Sequence, residues 1–194
     1  VGEMAGAVGT LASQPEKGLE TQQRMMEILG LNVPTIAWHV ARDNQAEFVS
    51  VLALCAGTLG RITHEILSLQ RTEILELEEP FFMGKVGSST MPHKRNPITC
   101  ERISGLARIV RGNALASLED ITLWHERDIS HSSVERVILP DSTITVDYCL
   151  RKFTNIVDKL LIYPEAMMAN MNKTGGLIYS QRIKIGRASC RERV

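Results

Sequence analysis

The chain has 194 residues, with 22 basic and 22 acidic side chains and therefore no formal net charge. A balanced charge argues against nucleic acid or an acidic membrane surface as the main partner. Only 5% of the residues are aromatic, while Ala, Leu, Ile, Met and Glu are frequent, which favours helices over strands.

The sequence contains no uninterrupted run of the roughly 18–20 apolar residues that span a bilayer, and no signal peptide is visible. The four cysteines form no CxxC pair, so we expect reduced thiols and a cytoplasmic location. The histidines His39, His64 and His125 lack the spacing of metal ligands, so we expect no metal site.

The first two predicted helices differ in length. Pro15 can open a helix that runs to about Leu29 and ends at Gly30, and residues 31–42 form a connection. Residues 43–72 then carry apolar side chains at alternating steps of four and three, a spacing typical of a left-handed helix bundle. The positions are Phe48, Leu52, Cys55, Leu59, Ile62, Ile66 and Leu69. A helix of about 30 residues is ~45 Å long, which indicates a bundle shared between subunits.

Three more helices are predicted downstream. Asn96 and Pro97 suit the N-cap and first position of a helix that continues to about Leu118, and close helix packing would explain its two internal glycines. Ser132 and Glu135 have capping-box spacing, so a helix is expected from near Ser133 to about Ile162, with a kink at Pro140. The last runs from Pro164 to Lys173 and ends at Gly175 and Gly176. No strand pattern is visible, so the expected fold is all-α, a bundle of long helices.

A polar segment, "GKVGSSTMPHKRNP" at residues 84–97, interrupts the helical pattern. Its hydroxyls and cationic side chains lead directly into a helix N-terminus, whose free N–H groups and dipole favour anions. The composition therefore indicates a site for a carboxylate or a phosphate, although a solvated surface loop remains the alternative. It does not match the phosphate-binding P-loop pattern.

Within that segment, "GSSTMPHKRNP" resembles the signature GSSxMPxKxNP of the fumarase/aspartase superfamily of lyases. "AGAVGT", "RDNQAEF" and "WHERDISHSSVERVILPDS" follow in family-like order, so the resemblance covers about residues 1–184. It implies a central helical domain at residues 1–172 and the start of a C-terminal helical domain at 173–184. Residues 185–194 lose all apolar periodicity and are interpreted as a non-native tail.

The resemblance also implies the assembly. Members are homotetramers whose active sites combine motifs from three subunits. The chain is expected to be an internal fragment without the upstream motif that carries the general-acid histidine, and therefore inactive alone.

The resemblance assigns roles residue by residue. Ser88 matches the catalytic base, with Ser89 as the neighbouring alternative that the sequence does not exclude. Lys94 and Asn96 match residues that hold the substrate carboxylates, and Met91 matches a position whose backbone contacts the substrate. Arg102 matches a substrate-contacting arginine of some members. Arg127, Ser132 and Arg136 match nucleotide contacts, the last two at the phosphate; the alternative for Arg127 and Arg136 is surface ion pairing with Glu126 or Glu135.

Two branches of the superfamily compete as the source of the resemblance. Residues 124–142 are similar to the branch that releases fumarate from purine nucleotides by β-elimination. "PTIAWHVARDNQAEF" and "LALCAGTLGRI" are nearer to the carboxymuconate-cycloisomerase branch. We favour the nucleotide branch because its segment would touch the phosphate. A helical assembly protein without enzymatic activity is the third hypothesis.

Overall fold

The computed structural model describes residues 1–81, 91 and 94–184. Within this part of the chain lie five α-helices and two short strands. The helices are α1 (Gly18–Leu29), α2 (Asp43–Leu69), α3 (Ile98–Glu119), α4 (Ser130–Asp158) and α5 (Pro164–Asn172), followed by a 3-10 turn at Leu177–Tyr179. The expected all-α fold is confirmed, and α2, α3 and α4 are its long helices.

The short strands were not predicted. β1 (Leu77–Glu78) and β2 (Leu161–Ile162) pair antiparallel, with Leu77 opposite Ile162 and Glu78 opposite Leu161. The helix expected to reach Ile162 therefore ends at Asp158 and gives way to β2. Pairs of two residues carry no alternating pattern that a sequence could reveal.

The ends of α1 and α5 agree with the glycine signals. Gly30 has the left-handed conformation, with φ of 65°, which glycine adopts without steric cost. The next N–H, that of Leu31, donates to the Met26 carbonyl at 2.9 Å and closes α1. Gly175 and Gly176 also have positive φ, of 57° and 89°, and lie in the turn that follows α5.

Helix α2 has the predicted length, but the predicted apolar seam is only partly buried. Leu59 and Ile66 lie in the core, whereas Phe48 is 47% exposed and Ile62 is 37% exposed. The buried side of α2 is formed by smaller residues on a neighbouring stripe. These are Ala46, Val49, Ala53, Ala56, Leu59, Thr63 and Ile66. Apolar side chains thus lie on two stripes of α2, and bulky ones such as Phe48 and Ile62 are open to solvent within this chain.

The chain divides into two compact units, each with its own core. The first comprises Val1–Gly57 and Ala107–Asp147, and the second comprises Thr58–Leu106 and the chain from Tyr148 onward. The core of the first unit consists of Val49, Ala53, Ala56, Ala107, Val110, Ala114 and Val146. The core of the second consists of Leu59, Ile66, Leu77, Cys100, Ile103, Cys149 and Ile156. Alanines dominate the first core, which lets its helices approach closely.

One expectation about helix interiors differs from the structure. A Cβ added at Gly105 or Gly112 would meet no described atom within 4 Å, so close packing inside this chain does not explain these glycines. Pro140 lies inside α4, and the kink expected there stays a prediction.

Helix α2 is long and apolar enough to cross a membrane by length and composition, with a mean hydropathy of 1.3 over its best 18-residue window. No other described helix meets this test. One such helix is weak support for a span, and the small-residue stripe of α2 packs into both protein cores.

Candidate functional site

The first two turns of α4 carry the predicted phosphate contacts, and the helix is capped differently from the expectation. The Asp128 carboxylate accepts hydrogen bonds from the Ser130 N–H at 2.8 Å, the Ser130 hydroxyl at 2.6 Å and the Trp124 N–H at 2.7 Å. These bonds, led by the Ser130 hydroxyl, lower the pKa of Asp128. The helix therefore starts at Ser130, and the predicted capping box of Ser132 and Glu135 is wrong.

The earlier start leaves Ser132 and Arg136 four residues apart on one face of α4. Ser132 is half-buried, and Arg136 is exposed and makes no ion pair with any described residue. Arg127 lies in the loop before the helix, where its guanidinium donates to the Ala7 carbonyl at 3.2 Å. The structure thus gives neither arginine the surface ion pair that was its alternative interpretation.

Glu135 is instead part of a buried polar cluster. Both of its carboxylate oxygens accept from Nη1 of Arg42 at 3.2 Å, and Nη2 of Arg42 donates to the His39 carbonyl. Asp120 and His131 are also buried, and Asp120 Oδ2 and His131 Nδ1 have no hydrogen-bond partner among the described atoms. We call these four residues, Arg42, Asp120, His131 and Glu135, the buried polar cluster. It anchors the turn of α4 that presents Ser132 and Arg136.

Replacing Asp120 with asparagine is expected to stabilise the protein at neutral pH. Burial, followed by the nearby charge of Glu135, raises the pKa of Asp120, while His131 and Arg42 oppose the rise. The folded protein therefore holds this proton more tightly than the unfolded chain does, and stability falls as the pH rises from the ordinary aspartate pKa through the raised one. We expect Asp120→Asn to gain about 0.5–2 kcal/mol of unfolding free energy at pH 8.

Thermal unfolding of both proteins at pH 4 and pH 8 checks this expectation, because the gain should shrink towards pH 4. Glu119→Gln removes a charge from the adjacent exposed position and serves as the control. An equal gain at both pH values would contradict the assignment.

A second polar arrangement joins the N-terminal segment to the connection before α2. Nδ1 of His39 lies 2.6 Å from the Glu3 carboxylate, and Nε2 lies 3.1 Å from the Ala7 carbonyl. Burial opposes ionisation of Glu3, but hydrogen bonds from the Trp38 N–H and the His39 ring outweigh it and lower the pKa of Glu3. The Ala7 carbonyl is therefore shared by His39 and Arg127. The sequence did not reveal this contact, because residues 3, 7, 39 and 127 are far apart along the chain.

The described ends of the polar segment lie in the second unit. Ser88 and Ser89 lie outside the described residues. Met91 is 43% exposed, and its carbonyl accepts the Lys94 N–H at 3.0 Å. Lys94 is exposed, and its side chain makes no ion pair within the described part of the chain. Asn96 is half-buried and lines a pocket with Gln70, Glu79, Pro80, Phe81, Arg95 and Ile98.

The N-terminus of α3 is occupied by a side chain of the same unit. The N–H groups of Thr99 and Cys100 donate to the buried Glu79 carboxylate at 3.1 and 2.8 Å. The helix begins at Ile98, one residue later than expected, and Glu79 rather than Asn96 satisfies its first turn. The expectation that these N–H groups are free for a bound anion is therefore wrong. Positive charge for a substrate must come from side chains such as Lys94.

Arg102 is exposed on α3, where its Nη1 donates to the Tyr148 hydroxyl at 2.9 Å. This bond raises the pKa of the Arg102 guanidinium. No group of three or more His, Cys, Asp or Glu side chains that could hold a metal is present in the described ranges.

The site residues thus offer two chemistries within the described chain. In the second unit, a cationic amine (Lys94) and a side-chain amide (Asn96) suit carboxylate groups. In the first unit, a hydroxyl and a guanidinium on one helical face near its N-terminus suit a phosphate.

The class of protein follows from the family comparison. The model of a lyase family matches residues 3–112. The chain belongs to this lyase family, within the fumarase/aspartase superfamily.

Among curated proteins, the chain is similar to adenylosuccinate lyases. The chain is 52% identical over 184 residues to the adenylosuccinate lyase of Synechocystis sp., which covers 94% of this chain and 42% of that protein. It is also 52% identical over 185 residues to the adenylosuccinate lyase of Methanothermobacter thermautotrophicus, covering 94% of this chain and 41% of the relative. The chain therefore spans about two fifths of the length of these relatives.

Solved structures with the same fold include other lyases. The 3-carboxy-cis,cis-muconate lactonizing enzyme of Pseudomonas putida matches with a TM-score of 0.81 at 35% identity, over 96% of this chain and 42% of that structure. A fumarate lyase of Mesorhizobium sp. BNC1 matches with a TM-score of 0.81 at 33% identity, over 97% and 41%.

Proposed function

We propose that the complete protein carrying this chain is an adenylosuccinate lyase of purine biosynthesis. It would split adenylosuccinate into AMP and fumarate, and SAICAR into AICAR and fumarate, by β-elimination. The observation that carries the proposal is the identity of about one half with adenylosuccinate lyases across 94% of the chain. The signature segment and the α4 turn both fall inside the matched part.

In this mechanism Ser88 removes the proton from the carbon adjacent to a substrate carboxylate. The electron pair forms the double bond of fumarate as the C–N bond breaks, and the leaving nitrogen takes a proton from a histidine that the superfamily places upstream of this chain. Negative charge builds on the carboxylate during proton removal. The Lys94 ammonium would stabilise this negative charge, since it is exposed and has no ion-pair partner in the described chain. Acid and base would each contribute about 10²–10⁴-fold.

Binding of the substrate is divided between the two sets of residues. Asn96, with Ser89, Arg102 and the backbone of Met91, would complete the carboxylate contacts around Lys94. Arg127 would contact the nucleotide, and Ser132 and Arg136 would hold its phosphate. Support for the phosphate contact comes from the shared face of Ser132 and Arg136 in the first two turns of α4. No cofactor is required, since the reaction needs only proton transfers and charge stabilisation.

The proposed assembly is a cytoplasmic homotetramer in which subunits share the helix bundle. Its support is the set of exposed apolar side chains on α2, among which Phe48, Val51 and Leu54 are 47%, 55% and 72% exposed. Apolar side chains also remain exposed on α3 and α4, among them Leu115 and Ile144. Burying such side chains against other copies would be favourable by roughly 25 cal/mol per Å².

A carboxymuconate cycloisomerase, or another lyase of the superfamily, is the second candidate function. It is favoured by the connection containing Trp38 and His39 and by the fold match to the lactonizing enzyme at 35% identity. The His39 ring contacts Glu3 and the Ala7 carbonyl, so this connection is held in place by other residues and is not a solvated linker.

A substrate panel on the complete enzyme tests the proposal. We expect turnover of adenylosuccinate and SAICAR, followed as fumarate release, and little turnover of carboxymuconate. Arg136→Met should raise KM for adenylosuccinate by about 10-fold or more, through loss of a charge-assisted phosphate contact, and leave Tm unchanged because Arg136 is exposed. Activity on a phosphate-free diacid alone, insensitive to Arg136→Met, would reject adenylosuccinate and favour the second candidate.

A further inference from the structure

The carboxylate of Glu79 is in an unusual position for a charged group. Glu79 is 7% exposed and makes no ion pair with a described basic side chain. Its stabilisation comes from two N–H groups in the first turn of α3, those of Thr99 and Cys100. A buried carboxylate there complements the positive end of the helix dipole. Glu79, which lies before the signature segment, is therefore hydrogen-bonded to α3, the helix that follows that segment.

Gln70 connects the same two places with a single side-chain amide. It lies directly after α2, and its N–H still donates to the Ile66 carbonyl at 3.0 Å, which fixes its backbone. Its Oε1 accepts the Glu79 N–H at 2.9 Å, and its Nε2 donates to the Arg95 carbonyl at 3.1 Å. Arg95 is the residue between Lys94 and Asn96, so the amide reaches the backbone that carries both.

A third set of contacts holds the neighbouring side chains. The Arg95 guanidinium lies 3.6 Å from the Glu78 carboxylate and 5.8 Å from the centre of the Phe81 ring. The same oxygen of Glu78 accepts the Tyr163 hydroxyl at 2.5 Å. Phe81 and Arg95, which are 14 positions apart, are thus next to each other. We call the pair of Gln70 and Glu79 the clamp.

We propose that Gln70 and Glu79 are positioning residues for catalysis, because the clamp fixes the backbone from which Lys94 and Asn96 reach the substrate carboxylates. This inference rests on the proposed function of Lys94 and Asn96. In this proposal neither residue contacts the substrate. Gln70 acts through the Arg95 carbonyl, and Glu79 acts through the first turn of α3. The clamp is built entirely from described residues of one unit.

The variant Gln70→Glu separates the two halves of the clamp. It is nearly isosteric and keeps an oxygen to accept the Glu79 N–H, but it loses the donor to the Arg95 carbonyl and places a carboxylate against it. In the complete enzyme we expect kcat to fall by about 10- to 100-fold, because small displacements of reacting groups have effects of this size. Glu79→Gln, which can accept only one of the two helix N–H groups well, should fall in the same range.

Two further measurements distinguish positioning from stability alone. Fumarate binding, followed as product inhibition, should weaken by about 10-fold in Gln70→Glu, because the carboxylate contacts shift. Glu73→Gln, an exposed carboxylate on the same connection, is the matched control and should match the wild type in both readouts. All assays are run well below each variant's Tm.

Lower Tm with unchanged kcat and unchanged fumarate inhibition in both clamp variants would overturn the inference and leave a structural role. Loss of kcat together with weaker fumarate binding supports it. If the wild type turns over no adenylosuccinate, the proposed function fails separately, and the clamp variants are then measured on the substrate that the panel identifies.

Discussion

Replacing Ser88 with alanine in the complete enzyme is expected to lower kcat by about 10²–10⁴-fold, because the proton on carbon would lose its base. Substrate KM should change little, since the hydroxyl acts in the transition state more than in binding. Steady-state fumarate release on adenylosuccinate measures both parameters.

Ser89→Ala is the informative comparison for this prediction, because the motif places two hydroxyls side by side. We expect a smaller loss for Ser89→Ala than for Ser88→Ala, and Ser13→Ala, at an exposed position near the N-terminus, should match the wild type. A larger loss for Ser89→Ala would transfer the base to Ser89. Unchanged biological function in Ser88→Ala would support the non-enzymatic hypothesis.

The Lys94→Met variant is expected to lower kcat/KM by about 10²–10³-fold, the size of effect seen when one preorganised charge-stabilising group is removed. Methionine keeps most of the length of the side chain and removes only the charge. Because Lys94 is exposed and has no ion-pair partner in the described chain, stability should stay within about 0.5 kcal/mol. Kinetics and thermal unfolding on the same preparation check both expectations.

Lys17→Met, at another exposed lysine, is the control for the loss of one positive charge. It should leave kcat/KM within about twofold of the wild type, because an exposed charge without a specific substrate contact acts only through a field that salt screens. Equal losses in both variants would show that the net charge, and not a specific carboxylate contact, determines the rate.

Local signals in the sequence predicted the helices well. Gly30 ends α1 and Pro164 opens α5 because each signal depends on the backbone preference of one residue. The capping prediction at Ser132 was wrong because Asp128, four positions earlier, competes for the same role and binds Ser130. Two capping signals so close together cannot be ranked without the side-chain geometry.

Signals that depend on partners distant in sequence were missed. Spacing in α2 identified an apolar stripe, but alanines at positions 46, 53 and 56 pack inward while Phe48 faces solvent, since this chain supplies neighbours only for the small-residue side. The sequence does not distinguish Glu79 from an ordinary charged residue, because its partners Thr99 and Cys100 are distant in sequence. The pair of Arg42 and Glu135 joins positions 93 apart, which no periodicity encodes.

The family resemblance added what physical patterns could not. Charge and hydroxyl content in residues 84–97 indicated an anion site, but not which anion or which reaction. The motif supplied the proposed roles of Ser88, Lys94 and Asn96. The structure shows that the N–H groups at the start of α3 are not free for an anion, because they already donate to the Glu79 carboxylate.

The exposed apolar side chains of α2 also have a consequence for how the protein is made. In the proposed homotetramer, a newly synthesised copy would present Phe48, Val51 and Leu54 to water until other copies cover them, so its maturation would depend on how many copies the cell holds at once. Scarce copies would stay longer in a form that chaperones capture and proteases degrade. Production at low expression levels should therefore yield a smaller assembled fraction than production at high levels.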